Sequence, residues 1–128
     1  MLPQVNSNTI NQEPRPTAPI LELKQACEGG FLFQFKVPED LLFFEGHFPG
    51  TPVVAGVCQI KWVCDVIREH FQRELPIAGM EAVKFHQLLF PGQSFRMEIK
   101  HQAKRRKWSF RLFYDQKKVA SGRILEGE

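Results

Sequence analysis

The sequence predicts one α+β domain in which an antiparallel sheet wraps around a single long helix. The helix is predicted by an apolar pattern with helical spacing over about residues 55–72, which leaves almost no polar side in its first turns. A helix that is apolar nearly all round is buried. The sheet is predicted by segments of alternating apolar residues on both sides of this helix, separated by turn residues. A chain of 128 residues is long enough to build one core of this kind.

Residues 1–18 come before this pattern. They hold several prolines and asparagines, and no hydrophobic segment follows the first residue. We therefore expect a flexible N-terminal tail and not a signal peptide. The folded domain is expected to span residues 19–128.

A hairpin is predicted before the helix. Residues 20–26 alternate imperfectly, and residues 31–37 alternate well after a Gly-Gly turn. The second strand has one apolar face, made by Phe31, Phe33, Phe35 and Val37. Pro38 ends that strand, and a short helical turn through residues 41–43 is expected.

Alternation returns after the helix. Four further strands are predicted at residues 79–85, 94–102, 108–114 and 118–125. Pro91-Gly92 and Asp115-Gln116 are the expected turns, because proline, glycine and aspartate favour turn conformations. With the first hairpin, these segments predict an antiparallel sheet of five or more strands.

The segment that leads into the helix is a restrained loop carrying one histidine, His47. Pro49 and Pro52 fix φ at their own positions, and three glycines allow close turns. Such a loop can hold an imidazole in one place, which acid–base catalysis requires, although a histidine here can equally be solvated or structural. The free N–H groups at the start of the following helix can bind a carbonyl oxygen or an anion.

This segment reads Gly46-His47-Phe48-Pro49-Gly50-x-Pro52-Val53-x-x-Gly56-Val57. It resembles the motif of the hotdog-fold 3-hydroxyacyl-[acyl-carrier-protein] dehydratases, and the resemblance continues through residues 80–85 and 90–93. The helix start, residues 56–62, resembles the divergent aryl polyene-type enzymes more than the housekeeping ones. The resemblance implies dehydration of 3-hydroxyacyl thioesters on an acyl carrier protein to trans-2-enoyl thioesters, in fatty acid or polyene lipid biosynthesis.

The resemblance also implies roles for individual residues. His47 would remove the proton next to the thioester carbonyl, and the N–H of Gly56 or Val57 would polarise that carbonyl. Phe44 and Phe48 would line an acyl tunnel, although core packing explains them equally well. Proteins of this family pair as homodimers, so the resemblance implies that His47 would face Lys61 of the partner chain.

One position departs from the family pattern. Fourteen residues after His47, where the family has a carboxylate on the helix, this sequence has Lys61. Lys61 could donate a proton or hydrogen bond to the departing hydroxyl if its ammonium lies in the pocket. Asp65, one turn further on, could substitute and could also pair with Lys61. A third interpretation is that dehydration has been lost, and a simple alternative for Lys61 is a lysine whose ammonium reaches water.

Two rival functions remain open from the sequence, a hotdog acyl thioesterase and a non-catalytic acyl-binding partner. The basic run Lys104, Arg105, Arg106 and Lys107 is either a solvated turn or a docking patch for an acidic acyl carrier protein. A net charge of +3 without a nucleic-acid-binding motif does not favour nucleic acid.

Neither a metal nor a cofactor is expected from this sequence. The four histidines do not have metal-ligand spacing with one another. The three cysteines also lack such spacing, and an odd number of them without a signal peptide indicates a reducing, cytoplasmic setting. No apolar run reaches the roughly 18 residues that a membrane span needs.

Overall fold

The computed structural model describes residues 17–40, 53–71 and 77–127. These residues form six strands, one α-helix and one short 3₁₀ turn. In chain order the elements are β1 (Ile20–Cys27), β2 (Gly30–Lys36), α1 (Gly56–His70), β3 (Ile77–Phe85), β4 (Ser94–Gln102), the 3₁₀ turn (Ala103–Arg105), β5 (Lys107–Tyr114) and β6 (Lys117–Glu126). The short helical turn predicted at residues 41–43, and residues 1–16 of the predicted tail, lie outside the described residues.

All six strands belong to one antiparallel sheet. Its strand order is β1-β2-β4-β5-β6-β3, so β1 and β3 are the two edges. The strand that directly follows the helix therefore pairs with the last strand of the chain and not with the next one. The expectation of an antiparallel sheet of at least five strands is confirmed.

Alternation along the strands sets which side of the sheet is buried. In β4, Phe95, Met97 and Ile99 are buried, and in β5 Trp108, Phe110 and Leu112 are. In β2, Phe33 and Phe35 face the same core, as the sequence predicted. The tight turn at Asp115-Gln116 is also confirmed, with φ of 50° and 70° at its two residues. Positive φ at both central positions gives the twist that a two-residue hairpin needs.

Helix α1 packs against this buried side of the sheet. Trp62 stacks on Phe95 with ring centroids 6.0 Å apart, and Phe95 stacks in turn on Phe35 at 5.7 Å. Val63 and Ile67 are fully buried beside them. Aromatic pairs of this kind add to the free energy of area burial. The sheet wraps around one helix, as predicted.

The helix is not buried all round, and that expectation is wrong for its outward face. Val57 is 75% exposed, and the Lys61 side chain is 52% exposed. Both lie on one line of the helix, since residues four apart share a face. In a single chain, an apolar residue at the start of the helix therefore points into solvent.

Strand β3 contains a bulge. Its pairing with β6 shifts register between Glu81 and Lys84, and Ala82 has a φ of 54°. A bulge changes the direction of the side chains that follow it. After the shift, Lys84 pairs with Ser121 and Phe85 with the buried Ala120, so Phe85 lies on the helix side and Lys84 on the outer side.

The packing of the core predicts which aromatic residues contribute most to the stability of the fold. Replacing Phe95 by alanine removes a buried ring that touches both Phe35 and Trp62. We expect the free energy of unfolding to fall by about 3–5 kcal/mol. The measurement is urea unfolding at one fixed protein concentration, followed by circular dichroism.

Phe113→Ala is the matched control, because Phe113 lies half-buried on the outer side of the sheet under Arg96 and Arg111. A loss of only about 1 kcal/mol is expected there. Equal losses for the two variants would show that the core does not lie where the structure places it.

Candidate active site at the start of the helix

Part of the predicted site lies outside the described residues. This applies to His47, Phe44 and Phe48. The structure describes the chain again from Val53, immediately before the helix. It shows the start of the helix, to which the family resemblance assigns carbonyl binding.

The helix start is held in place from two sides through Val54. The N–H of Val54 donates to the carbonyl of Leu89 at 2.8 Å. The side-chain amide of Gln59 donates to the carbonyl of Val54 at 3.2 Å. Gln59 itself is only 3% exposed, so this bond lies in the interior. Both backbone groups of the residue that leads into the helix are therefore fixed.

Two N–H groups at the helix start remain available. Ala55 is the N-cap residue and makes no side-chain cap, while its carbonyl accepts from the N–H groups of Cys58 and Gln59. The N–H groups of Gly56 and Val57 have no acceptor within the described part of the chain. Unpaired N–H groups at a helix start carry partial positive charge and favour a negative oxygen. These are the two residues that the sequence assigned to carbonyl binding.

Phe85 covers Gly56. A Cβ atom at Gly56 would lie 2.7 Å from the tip of the Phe85 ring, closer than carbon atoms approach. Phe85 is itself 49% exposed, so its ring forms a wall beside the free N–H groups. The glycine is therefore needed to bring an aromatic ring and a helix start together.

Lys61 and Asp65 form a pair on the outward face of α1. Lys61 Nζ donates to Asp65 Oδ2 at 2.7 Å. Asp65 Oδ1 lies 3.6 Å from Arg68. The pairing expected from their spacing is confirmed. Lys61 lies one turn beyond Val57, on the same line of the helix as the exposed N-terminal residues, so one substrate could meet both.

The basic run lies at the other end of the sheet. Lys107 pairs with Leu125, whereas Phe85 pairs with Ala120, which pairs with Leu112. Lys107 and Leu112 are five residues apart, or roughly 17 Å along a strand. The structure therefore does not bring residues 104–107 next to the helix start.

Two members of the basic run are already engaged. Lys107 Nζ contacts Glu81 Oε1 at 2.6 Å, and Arg106 donates to the carbonyl of Gly127 at 2.5 Å. Arg123 also contacts Glu81, at 2.7 Å. These two cations lower the pKa of the Glu81 carboxyl from its usual value. Lys104 and Arg105 are exposed at the turn.

The described residues offer little support for a cysteine nucleophile or a metal site. Cys58 and Cys64 are buried in α1, as expected, and burial raises the pKa of both thiols. Thiols with raised pKa values are poor nucleophiles at neutral pH. No cluster of three or more metal-ligating side chains occurs among residues 17–40, 53–71 and 77–127. None of these residues belongs to a helix that is both long and apolar enough to cross a membrane.

Sequence reasoning missed two contributors, Gln59 and Phe85. Gln59 belongs to the stretch that the sequence predicts as buried, and a polar residue within a buried stretch is itself a signal. Phe85 ends a strand that the sequence predicted correctly. Nothing in the sequence showed that this strand end reaches the helix start, because the contact depends on the bulge at Ala82.

Comparison with known proteins decides the family. A family model described as ApeI dehydratase, of the ApeI-like group, matches residues 24–123. The chain belongs to the ApeI-like dehydratase family. A solved structure of the dehydratase heterocomplex ApeI:P from Xenorhabdus doucetiae is similar to it with a TM-score of 0.79 and 29% identity, covering 86% of this chain and 98% of that one. The hotdog fold implied by the sequence motif is thereby confirmed.

Curated relatives of this ApeI-like chain are 3-hydroxyacyl-[acyl-carrier-protein] dehydratases named FabZ. The one from Lawsonia intracellularis is 34% identical over 91 residues, and the alignment covers 61% of this chain and 60% of that protein. The one from Moorella thermoacetica is 33% identical over 93 residues, covering 65% of each. The chain thus spans less than two thirds of the length of these relatives.

The contact between Gly56 and Phe85 gives a test of the site geometry. Alanine is the better helix former by up to about 1 kcal/mol, so Gly56→Ala would ordinarily stabilise α1. Here the added methyl must displace the Phe85 ring. We expect the free energy of unfolding to fall by about 1 kcal/mol, because the half-exposed ring can turn away.

A double-mutant cycle with Phe85→Leu checks this, with thermal unfolding as the measurement. In the Phe85→Leu background, Gly56→Ala should be neutral or stabilising. The same loss in both backgrounds would mean that the ring does not lie over the helix start.

Proposed function

We propose that this chain dehydrates 3-hydroxyacyl thioesters carried on an acyl carrier protein and forms trans-2-enoyl thioesters. The observation that carries the proposal is the pair of N–H groups at Gly56 and Val57, which have no acceptor among the described residues and follow His47 by nine and ten positions in the sequence. Membership in the ApeI-like family supports it, as do the names of the FabZ relatives. Fatty acid or polyene lipid biosynthesis is the corresponding setting.

The first step is removal of a proton from the carbon next to the thioester carbonyl. We assign His47 as the base, since an imidazole can accept a proton near neutral pH. The electrons left behind move onto the carbonyl oxygen. The N–H groups of Gly56 and Val57 stabilise that negative oxygen without having to reorient, because the helix start is already fixed through Val54.

The second step is departure of the hydroxyl group from the next carbon. The electron pair returns from the oxygen to form the carbon–carbon double bond, and the hydroxyl leaves as water after taking up a proton. We assign that proton to the ammonium of Lys61, with Asp65 as the residue that orients it. The 2.7 Å contact supports this division of roles, because Asp65 already accepts from Lys61 and lies near a second cation, Arg68.

The thioesterase alternative requires a carboxylate that is free to activate water. Asp65 is the carboxylate on the outward face of the helix, and two cations, Lys61 and Arg68, lie against it. The geometry therefore favours dehydration over hydrolysis. The non-catalytic alternative predicts acyl binding with no change in the thioester.

Catalysis is tested with a 3-hydroxyacyl thioester of N-acetylcysteamine and the matching enoyl thioester. We expect His47→Ala to lower kcat/KM by about 100-fold or more, since the base is lost. Lys61→Ala should cause a comparable loss, and Asp65→Asn a smaller one. The measurement is the ultraviolet absorbance of the conjugated enoyl thioester.

Each other outcome has a defined meaning. Parent activity that survives His47→Ala would remove the assigned base. Loss with Asp65→Asn but not with Lys61→Ala would transfer the proton-donating role to Asp65. Release of free thiol would indicate a thioesterase, and tight binding without reaction would indicate an acyl-binding protein.

We also propose that the chain pairs with a second copy through β3. This strand is an edge of the sheet, with backbone groups open to another strand. The same region carries the exposed apolar side chains Val57, Ile77, Met80, Phe85 and Leu88. Apolar residues along an open edge are typical of a surface that another subunit covers. Such a mate would also cover the outward face of α1 and bring its own histidine to Lys61.

Met80→Lys tests the pairing, because an added charge on the edge should block it. We expect the parent to sediment as a dimer at micromolar concentration and the variant as a monomer. Ile20→Lys, on the opposite edge strand β1, is the control and should remain dimeric, since Ile20 is also exposed.

A parent that is monomeric under these conditions would contradict the homodimer. The relative from Xenorhabdus doucetiae is a heterocomplex. A parent that is monomeric alone but dimeric with a second hotdog dehydratase would therefore indicate a mixed pair.

The cysteines support a proposal about the compartment. All three cysteines are free, two of them buried. We infer a reducing, cytoplasmic location, where free thiols persist.

A further inference from the structure

The outer side of the sheet holds a recess that the proposed reaction does not use. Its volume is about 320 Å³. It lies where β3, β5 and β6 meet, on the side of the sheet opposite α1. It is lined by small residues, by Phe110, and by the basic side chains that form what we call its rim, Lys84, His86, Arg111, Lys118 and Arg123.

The recess carries an excess of positive charge. Arg111 pairs with Glu98, and Arg123 pairs with Glu81. Within the described residues, Lys84 and Lys118 have no ion pair, and both are exposed. Two lysines are thus left to attract an anionic partner. A cluster of like charge at a concave surface concentrates the field that an approaching molecule meets.

The register of the strands places this charge at the active end of the sheet. Lys84, Ser121 and Arg111 form one row across β3, β6 and β5. Phe85, the next residue after Lys84, faces the opposite side and covers Gly56 at the helix start. Adjacent residues of a strand point to opposite sides of the sheet, and the register after the bulge at Ala82 directs Phe85 toward the carbonyl site and Lys84 toward the recess.

The basic run at residues 104–107 is less well placed. Along the strands its Lys107 lies roughly 17 Å from the level of Phe85 and the helix start, and Lys107 is held by Glu81, which also holds Arg123 of the recess rim. Its Arg106 is bonded to the carbonyl of Gly127. Lys104 and Arg105 are the members left for a partner, at the end of the sheet that is remote from α1.

We propose that the recess rim, through Lys84 and Lys118 with Arg111 and Arg123 behind them, is where the acidic surface of the acyl carrier protein docks. This inference rests on the proposed function, which makes an acidic carrier protein the bearer of the substrate. Docking there places the carrier beside the strand end that walls the active site. Electrostatic attraction at such a rim acts mainly on the association rate and weakens with salt.

The test compares two variants that each remove two positive charges, Lys84→Ser/Lys118→Ser and Lys104→Ser/Arg105→Ser. The first readout is affinity for purified holo acyl carrier protein at low and high salt, by fluorescence anisotropy. The second is the ratio of kcat/KM for a 3-hydroxyacyl chain on that carrier to kcat/KM for the same chain on N-acetylcysteamine. Thermal unfolding verifies that both variants are folded.

We expect the Lys84/Lys118 variant to lose about tenfold in carrier affinity at low salt, and the same factor in the ratio. The loss should shrink at high salt, and Lys84→Arg/Lys118→Arg should restore the parent values. The Lys104/Arg105 variant should stay within about twofold of the parent.

A loss confined to Lys104/Arg105 would overturn the assignment in favour of the basic run. Equal losses in both variants would overturn it in favour of attraction spread over both surfaces, and unchanged affinity in both variants would exclude both surfaces. If the parent dehydrates neither substrate, the proposed function fails, and the affinity measurement alone then decides whether this rim is the docking surface.

Discussion

The structure depends on how the amino end of α1 is fixed. Val54 is bonded through its N–H to Leu89 and through its carbonyl to the buried amide of Gln59. A buried hydrogen bond of this kind is costly to break, because the carbonyl oxygen left without a donor could not reach water. The two N–H groups that follow therefore keep one direction whether or not anything is bound to them. Preorganised donors of this kind are what stabilise charge in a transition state.

Helix α1 has one face buried against the sheet and an opposite face that points outward. Trp62 stacks on the sheet through Phe95, while Lys61, the neighbouring residue, points outward and pairs with Asp65. Neighbouring positions on a helix point in directions about 100° apart, so one element can supply both a core and a reactive face. The departure from the family pattern at Lys61 thus changes the chemistry of the outward face without disturbing the packing.

Much of the fold follows from the sequence, because alternation and turn residues are local signals. The bounds of β4 and the turn at Asp115-Gln116 agree with the prediction. The sequence does not predict that β3 lies beside β6 or that β3 contains a bulge, because both depend on contacts between distant segments. Exposure of Val57 was missed for a related reason, since periodicity shows that a residue is apolar and not what covers it.

The candidate site also contains some features that the sequence predicts and others that it does not. The motif gave Gly56 and Val57, and the spacing gave the Lys61–Asp65 pair. The charged residues on the outer side of the sheet are scattered in the sequence. The strand register brings them together, and the sequence does not show that register. Lys104 to Lys107 stand out in the sequence because they are contiguous, yet contiguity says nothing about distance from the helix.

Both tryptophans of the chain are buried, one in each layer of the fold. The indole N–H of Trp62 donates to the carbonyl of Thr17 at 3.0 Å, which ties the segment before β1 to the helix. The emission of Trp62 should therefore respond to detachment of that segment, and the emission of Trp108 to loosening of the sheet. Replacing one indole at a time by phenylalanine would give two optical reporters, each confined to its own part of the molecule.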